Sequence, residues 1–304
     1  MPLLAFRDVS KRFDRTDALR DVSFELEGRS IGLVGPNGAG KTTLMKICLG
    51  LAEATSGRVE VLGQQITPRT AARVRLGYAA EGSGHLPHLT GLECVAYAAR
   101  LCGLTRRRAY LRAHEMLDLV GLDEARHRLA EGYSTGMLQR TKVAMALVHD
   151  PELLFLDEPT SGLDPTSRTD FLRLLAHLRA SGGPAVVLST HILHDVEKAC
   201  EQVLILNEGR VKYVGDIAPL TRDDGQRYRV RLLSEVDGFG DALSKAGLTW
   251  QHMSLGVYAI QLAEQQSVDV IWHCAAQANA AVIGLEGVQV DFEGAFLSQV
   301  AGSA

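Results

Sequence analysis

No stretch of this 304-residue chain approaches the ~20 consecutive apolar residues that a membrane-spanning helix needs. Its apolar runs, such as Leu153–Leu156 and Ala185–Leu188, are sheet-sized. Any membrane role would therefore have to come through a partner chain. Cysteines are few: the five thiols are odd in number and form no C-x-x-C pair. That excludes a disulfide scaffold and points to free thiols in a reducing cytosol. Neither sign of charge dominates, and a net charge of −4 gives no global pull toward nucleic acid or anionic lipid. Internal repeats and low-complexity tracts are lacking, and Arg7 and Asp8 come too early for a secretory signal. What remains, with 46% hydrophobic and 22% charged residues, is an ordinary globular composition. The length has room for one large α/β domain and a smaller one.

Glycine is not scarce, and one cluster of it decides the class of chemistry. Gly35-Pro36-Asn37-Gly38-Ala39-Gly40-Lys41-Thr42-Thr43 fits G-x-x-x-x-G-K-[ST], the phosphate-cradling loop of nucleotide-binding proteins. Glycines there let successive backbone N–H groups close around an anion that side chains would keep away. Ser30–Val34 reads as the buried strand leading in, and Lys41–Leu49 as a helix whose N-terminus points at the phosphates. Lys41 would reach the β- and γ-phosphates, and the Thr42 hydroxyl would hold Mg²⁺.

Residues 1–215 alternate short apolar runs with helical patterns, as a mainly parallel sheet with helices on its faces requires. Leu3–Val9 and Val22–Leu26 read as an opening antiparallel pair. Thr90-Gly91-Leu92-Glu93 is a capping box that predicts a helix to about Cys102. A second helix is expected over Arg106–Val120, stopped by Gly121. These helices interrupt the sheet pattern and suggest a helical subdomain at about 82–150. Gln202–Leu206 and Arg210–Val214 read as a hairpin across Asn207-Glu208-Gly209. The chain turns polar at Leu220–Gly225, where a domain boundary is expected. Beyond it come strand Arg227–Leu232, helix Val236–Ala246, a strand, strand Val257–Leu262, helix Val268–Asn279 and strand Val288–Phe292. That β-α-β-β-α-β order suggests a ferredoxin-like sandwich.

The remaining chemistry sits near strand ends. Leu153–Leu156 delivers Asp157 and Glu158: one carboxylate suits Mg²⁺, and the next, pointing elsewhere, could act as general base on water. Ser161-Gly162-Leu163-Asp164 follows directly. The strand at Ala185–Leu188 delivers His191, a candidate γ-phosphate contact. Tyr133-Ser134-Thr135-Gly136-Met137 opens another helix, where Ser134 and Gly136 would present a second anion site. His85-x-x-His88 and His191-x-x-His194 have metal-compatible spacing but no partner ligands in pattern, and they are not read as a metal site. Arg106-Arg107-Arg108 reads as a solvated helix start.

Taken in order, these elements make residues 3–215 resemble the ATP-binding cassette (ABC) family of ATPases. In family terms Phe13 resembles the aromatic that stacks on adenine, and Gly35–Thr43 the Walker A loop. Glu81 falls where the family usually has a glutamine, and Tyr133–Met137 resembles the signature motif. Leu153–Glu158 resembles the Walker B strand, Ser161–Asp164 the D-loop and His191 the switch histidine. The resemblance implies a P-loop ABC-type nucleotide-binding domain over 1–220: an antiparallel β subdomain, a mainly parallel core sheet and a helical subdomain. Residues 226–304 would be a small accessory α+β domain.

The same resemblance implies how it works. ATP and Mg²⁺ would be the cofactors, with Thr42, Glu81 and Asp157 at the metal. Two cassettes would pair head-to-tail, each ATP lying between one Walker A loop and the other chain's Ser134–Gly136, and Asp164 is also expected at the nucleotide. Glu158 would activate water, with Lys41 and His191 on the γ-phosphate. The partner would be a polytopic membrane permease, placing this chain peripherally on the cytoplasmic face of the plasma membrane. Two departures stand out: Tyr-Ser-Thr-Gly-Met in place of Leu-Ser-Gly-Gly-Gln, and Glu81 in place of glutamine. Both, with a C-terminal domain ending in Phe292–Leu297, resemble bacterial drug, antibiotic or lipid exporter subunits. An importer subunit is the nearest rival. A ribosome-acting ATPase would carry two cassettes and a charged linker, and a DNA-maintenance ATPase a long heptad insertion; neither is present in the sequence. No direct nucleic-acid contact is expected.

Overall fold

A computed structural model describes residues 2–14, 16–67, 71–82, 86, 88–220, 227–236, 238–263, 266–287, 294 and 296. The chain divides between Ile217 and Ala218 into two compact units.

In the first unit, β1 (Leu4–Phe13) pairs antiparallel with β2 (Thr16–Leu26). Both run past the lengths expected from apolar alternation, because register shifts between Phe6 and Val9, and again to Lys11 and Arg12, carry the ladder through exposed residues. Then follow β3 (Ser30–Val34), α1 (Lys41–Cys48), β4 (Ser56–Val61), the two-residue β5 (Gln64–Gln65) and β6 (Leu76–Ala79). Three helices come next: α2 (Gly91–Leu101), α3 (Arg106–Leu119) and α4 (Thr135–Leu147). The capping box at Thr90 and Glu93 is formed in both directions, which stabilises such a helix start by ~1 kcal/mol. The unit closes with β7 (Leu153–Asp157), α5 (Pro165–Ala180), β8 (Ala185–Thr190), α6 (Leu193–Ala199), β9 (Gln202–Asn207) and β10 (Arg210–Asp216).

These strands make two sheets. One is antiparallel, in the order β2-β1-β4-β5. The other has six strands in the order β10-β9-β3-β8-β7-β6, parallel except for the β9–β10 hairpin. β3, β7 and β8 are buried along their whole length, as strands covered on both faces must be. Leu4, Phe6, Phe24 and Val59 from the first sheet share a core with Leu44 and Met45 of α1 and with Ile31, Leu33 and Phe155 of the second. Phe6 and Phe24 stack at 4.6 Å between centroids.

The second unit holds β11 (Arg227–Leu232), α7 (Phe239–Lys245), β12 (Thr249–Ser254), β13 (Val257–Gln261), α8 (Asp269–Gln277) and β14 (Val282–Gly287). Its sheet runs β12-β13-β11-β14, antiparallel throughout, which is the ferredoxin-like topology. The last strand differs from expectation. It pairs with β11 from Val282, six residues before the expected Val288–Phe292, which lies outside the described residues. Helix α7 also starts later than Val236, at an N-cap glycine, Gly238, with φ 94°. The polar boundary at 221–225 and the segment Phe292–Leu297, except 294 and 296, are likewise outside the described residues.

Candidate functional site

The C-terminal ends of four adjacent parallel strands, β3, β8, β7 and β6, deliver the phosphate loop, His191, Glu158 and the Glu81 loop to one edge. Crevices at such strand ends are where open α/β sheets bind ligands. The loop turns through Gly38 (φ 81°) and Gly40 (φ 106°) before α1 begins. At Gly40 a Cβ would lie 2.6 Å from the Ala18 carbonyl oxygen, so only glycine brings loop and β2 this close. A cavity of about 480 Å³ opens here. Thr16–Ala18, Pro36, Asn37, Gly38, Ala39, Gly40, Lys41, Thr42, Thr43, Glu81, Glu158, Ser161 and His191 line it.

Polar groups converge in this cavity. Lys41 is buried, and its Nζ donates to the Gly35 carbonyl at 2.7 Å and lies 3.7 Å from Glu158 Oε1. The other Glu158 oxygen is 2.9 Å from His191 Nδ1. Glu158 itself has φ 47°, a left-handed backbone that turns its carboxylate away from the strand and costs of order 1 kcal/mol or more. Its N–H remains tied to the Ser189 carbonyl at 2.9 Å, which anchors the turn. Thr42 Oγ1 donates to Asp157 Oδ2 at 3.3 Å.

Asp157 is only 2% exposed, and its second oxygen, Oδ1, has no hydrogen-bond partner; neither has the hydroxyl of Ser189, its cross-strand neighbour. A buried, unpartnered carboxylate oxygen beside a hydroxyl is a hard oxygen donor set, and it fits a divalent cation such as Mg²⁺. Burial, and secondarily the Asp157 charge, push the nearby Tyr78 phenol up to about 12.

Four supporting hydrogen bonds were not foreseen in the sequence. Lys142, on the buried side of α4, donates from Nζ to the carbonyls of Ala80 at 2.9 Å and Gly82 at 2.7 Å. Desolvation lowers its pKa, while the charges of Glu81 and Asp157 oppose that shift. It thereby fastens the Glu81 loop to the helix that Ser134 starts. Buried Thr160, two residues past Glu158, donates to Asp195 Oδ2 at 2.6 Å, and Arg168 Nε donates to Asp195 Oδ1 at 2.6 Å. This network joins the segment after Glu158 to α6, which begins two residues after His191.

Not every expected residue reaches the cavity. Ser134 caps α4, accepting from the Met137 N–H at 3.3 Å, and Gly136 follows in its first turn. Asp164 caps α5 through the N–H groups of Thr166 and Ser167; the Ser167 side chain first, and then these N–H groups, hold its carboxyl below the usual range. Phe13 is 46% exposed with Lys11 Nζ over its ring at 4.6 Å. None of these four lines the cavity of its own chain, and Gly35 and Asp157 meet it only through their bonds to Lys41 and Thr42. His194, grouped with His191 by spacing, lies 3.9 Å from Glu197 instead, and His85 lies outside the described residues.

A strand–glycine loop–helix turn with two carboxylates and a histidine around it defines a phosphate-loop nucleotide-binding cassette. Residues 19–161 match the family profile described as ABC transporter. The ABC transporter ATP-binding protein YxlF of Bacillus subtilis (strain 168) is 39% identical over 219 residues, 72% of each chain. The linearmycin resistance ATP-binding protein LnrL of the same organism is 32% identical over 295 residues, 95% of this chain and 94% of that one. A solved ATP-binding subunit of an ABC transporter superimposes with a TM-score of 0.62 at 30% identity, covering 73% of this chain and 93% of that one. The chain belongs to the ABC transporter family, as an ATP-binding subunit.

Proposed function

We propose that this chain hydrolyses ATP as the motor subunit of an exporter whose membrane-spanning permease is a separate chain. The observation that carries the catalytic part is Glu158, held between His191 at 2.9 Å and Lys41 at 3.7 Å at the mouth of the phosphate loop. A carboxylate turned out of its strand this way can take a proton from an attacking water. Lys41 and the loop N–H groups neutralise phosphate charge, and His191, anchored by Glu158, orients the terminal phosphate. Thr42, Asp157 and Glu81 would hold Mg²⁺, which when bound neutralises the phosphate oxygens.

Ser134, Gly136 and Asp164 sit at helix starts away from their own chain's cavity. They would complete the nucleotide site of a second copy, in a head-to-tail dimer that ATP closes and hydrolysis opens. The segment from Glu81 to Leu89, with α2 and α3, would carry that closure to the permease on the cytoplasmic face of the membrane. Export is supported by LnrL, which matches nearly the whole chain and is named for resistance to linearmycin. The test is capture of tagged Glu158→Gln protein from detergent-solubilised host membranes with Mg-ATP. A stoichiometric polytopic membrane protein supports the reading. Ribosomal or DNA-associated proteins alone, or a partner that imports its substrate, would overturn it.

A further inference from the structure

The open face of the second unit's sheet carries a stripe of charge. Along the central strand β11, Val230 and Leu232 are buried, while Arg227, Arg229 and Arg231 are exposed. Alternate strand residues stand about 7 Å apart on one face, so these arginines form a row. Arg227 Nε donates to Gln261 Oε1 at 2.9 Å. Arg229 and Arg231 make no side-chain hydrogen bond or ion pair among the described residues, although Glu286 stands opposite Arg229 on β14. Their neighbours across the ladder, Ala259, Val257 and Gly284, are small or apolar and leave the guanidinium groups free to reach outward.

The row runs into an apolar rim. Of the five large apolar side chains exposed among the described residues of this unit, four gather at one end of the sheet: Leu233 (71%), Met253 (56%), Leu255 (83%) and Ile283 (57%). They come from three separate chain segments: just past β11, the end of β12 with the turn after it, and the start of β14. Backbone bonds from Leu232 N to Gly256 O at 2.7 Å and from Leu233 N to Ala281 O at 2.8 Å hold those segments together. His252, next to Met253 in sequence, lies 3.4 Å from Glu235, two residues past Leu233. Exposed apolar groups clustered in this way mark an interaction site rather than ordinary surface scatter.

We propose that this end of the second unit is a membrane-docking edge that seats on an anionic lipid bilayer. Leu233, Met253, Leu255 and Ile283 enter the headgroup–acyl boundary, and Arg229 and Arg231 bind the headgroup phosphates beside it. The charge favours lipid phosphate over an apolar protein partner, because the arginine row is continuous with the rim: Leu233 follows Arg231 by two residues. A partner that covered only the rim would leave two unpaired guanidinium groups at its margin, whereas a bilayer surface supplies anions all round. This edge needs neither nucleotide nor permease, so it stands apart from the ATPase reading.

The test is co-sedimentation of the full chain with phosphatidylcholine vesicles, with and without phosphatidylglycerol, over a range of salt. The expected result is binding that requires phosphatidylglycerol and weakens with salt. R229E/R231E should reduce it by about 25-fold or more, taking a factor of about five for each basic residue near the surface. L233S/M253S/L255S should reduce it at least as much, and R106E/R107E at the exposed start of α3 should leave it unchanged. Resistance of the second unit to limited proteolysis beyond residue 217, with unchanged far-ultraviolet circular dichroism, serves as the folding control for the two variants in that unit, and ATPase activity of the lipid-free protein does so for R106E/R107E. Absence of wild-type binding, binding that follows R106E/R107E, or rim-dependent self-association by light scattering without lipid binding would each overturn the proposal.

Discussion

All twelve buried polar or charged side chains among the described residues fall between Ser30 and Asp195, in the cassette, while the C-terminal unit buries none. The cassette's interior therefore carries unpaid electrostatic tension: an orphan Asp157 oxygen, a left-handed Glu158 and a desolvated Lys142. The C-terminal unit has an apolar interior, with Val230, Phe239, Leu243, Tyr258, Ile260 and Ile271 at its centre. Groups buried at a desolvation cost are retained where they bind or react, whereas an apolar core needs only volume and pattern. The comparison separates a unit selected for chemistry from one whose described interior has none to offer.

The sharpest way to break this comparison is to strike one group in each unit. Glu158→Gln should lower ATP turnover by about a hundred- to ten-thousand-fold, the range for a lost general base, while ATP binding and melting temperature stay near wild type. Turnover close to wild type would remove Glu158 from the mechanism. Phe239→Ala, at a fully buried ring packed edge-on to Tyr258 at 5.0 Å, should cost about 3–5 kcal/mol and unfold the C-terminal unit first. Limited proteolysis should then cut beyond residue 217 with ATP turnover of the cassette retained. If turnover fell in step with the proteolysis, the two units would not be energetically separate.

Smaller effects sharpen the contrast. Thr160→Val keeps the volume but takes the donor from Asp195 Oδ2, and it should cost ~1–3 kcal/mol in thermal denaturation of the cassette. No shift at all would mean that Arg168 alone satisfies Asp195. The smallest expected effect is spectroscopic. The Tyr78 phenol, raised from 10.0 to about 12, holds its proton more tightly in the folded chain than in the unfolded one. Its contribution to stability is thus fully present below pH 10 and is lost as pH rises through about 12. Ultraviolet difference titration against Tyr78→Phe should isolate this step among the seven tyrosines. In Asp157→Asn the step should move down, and a step already at 10 in the wild type would contradict the burial that causes the shift.

What was legible in the sequence follows the physics of each feature. The phosphate loop could be read because its requirement is on the backbone, and only glycine meets it at Gly40, so the pattern is written in residue identity. The helix at Thr90 was legible because both halves of its cap lie three residues apart. Lys142 left no signal, since its partners are main-chain carbonyls 60 and 62 positions away, which any residue could supply. The Thr160–Asp195–Arg168 network was hidden for a related reason: its members lie 27 and 35 positions apart and meet only after β7 and β8 pair. Strand β6, four residues long, has no alternation to display, and β14 carries two glycines that disguise it as a loop.

The Lys142 fastener has one more consequence. Ser134 starts α4 and Lys142 sits two turns further along the same rod, gripping both carbonyls that flank Glu81. Any tilt of α4 that preserves those bonds drags Glu81 with it. A partner that pulls on the helix at its Ser134 end is therefore registered at the Glu81 edge of the cavity, and thermodynamic reciprocity makes the reverse equally true. One ammonium group makes a lever of a helix.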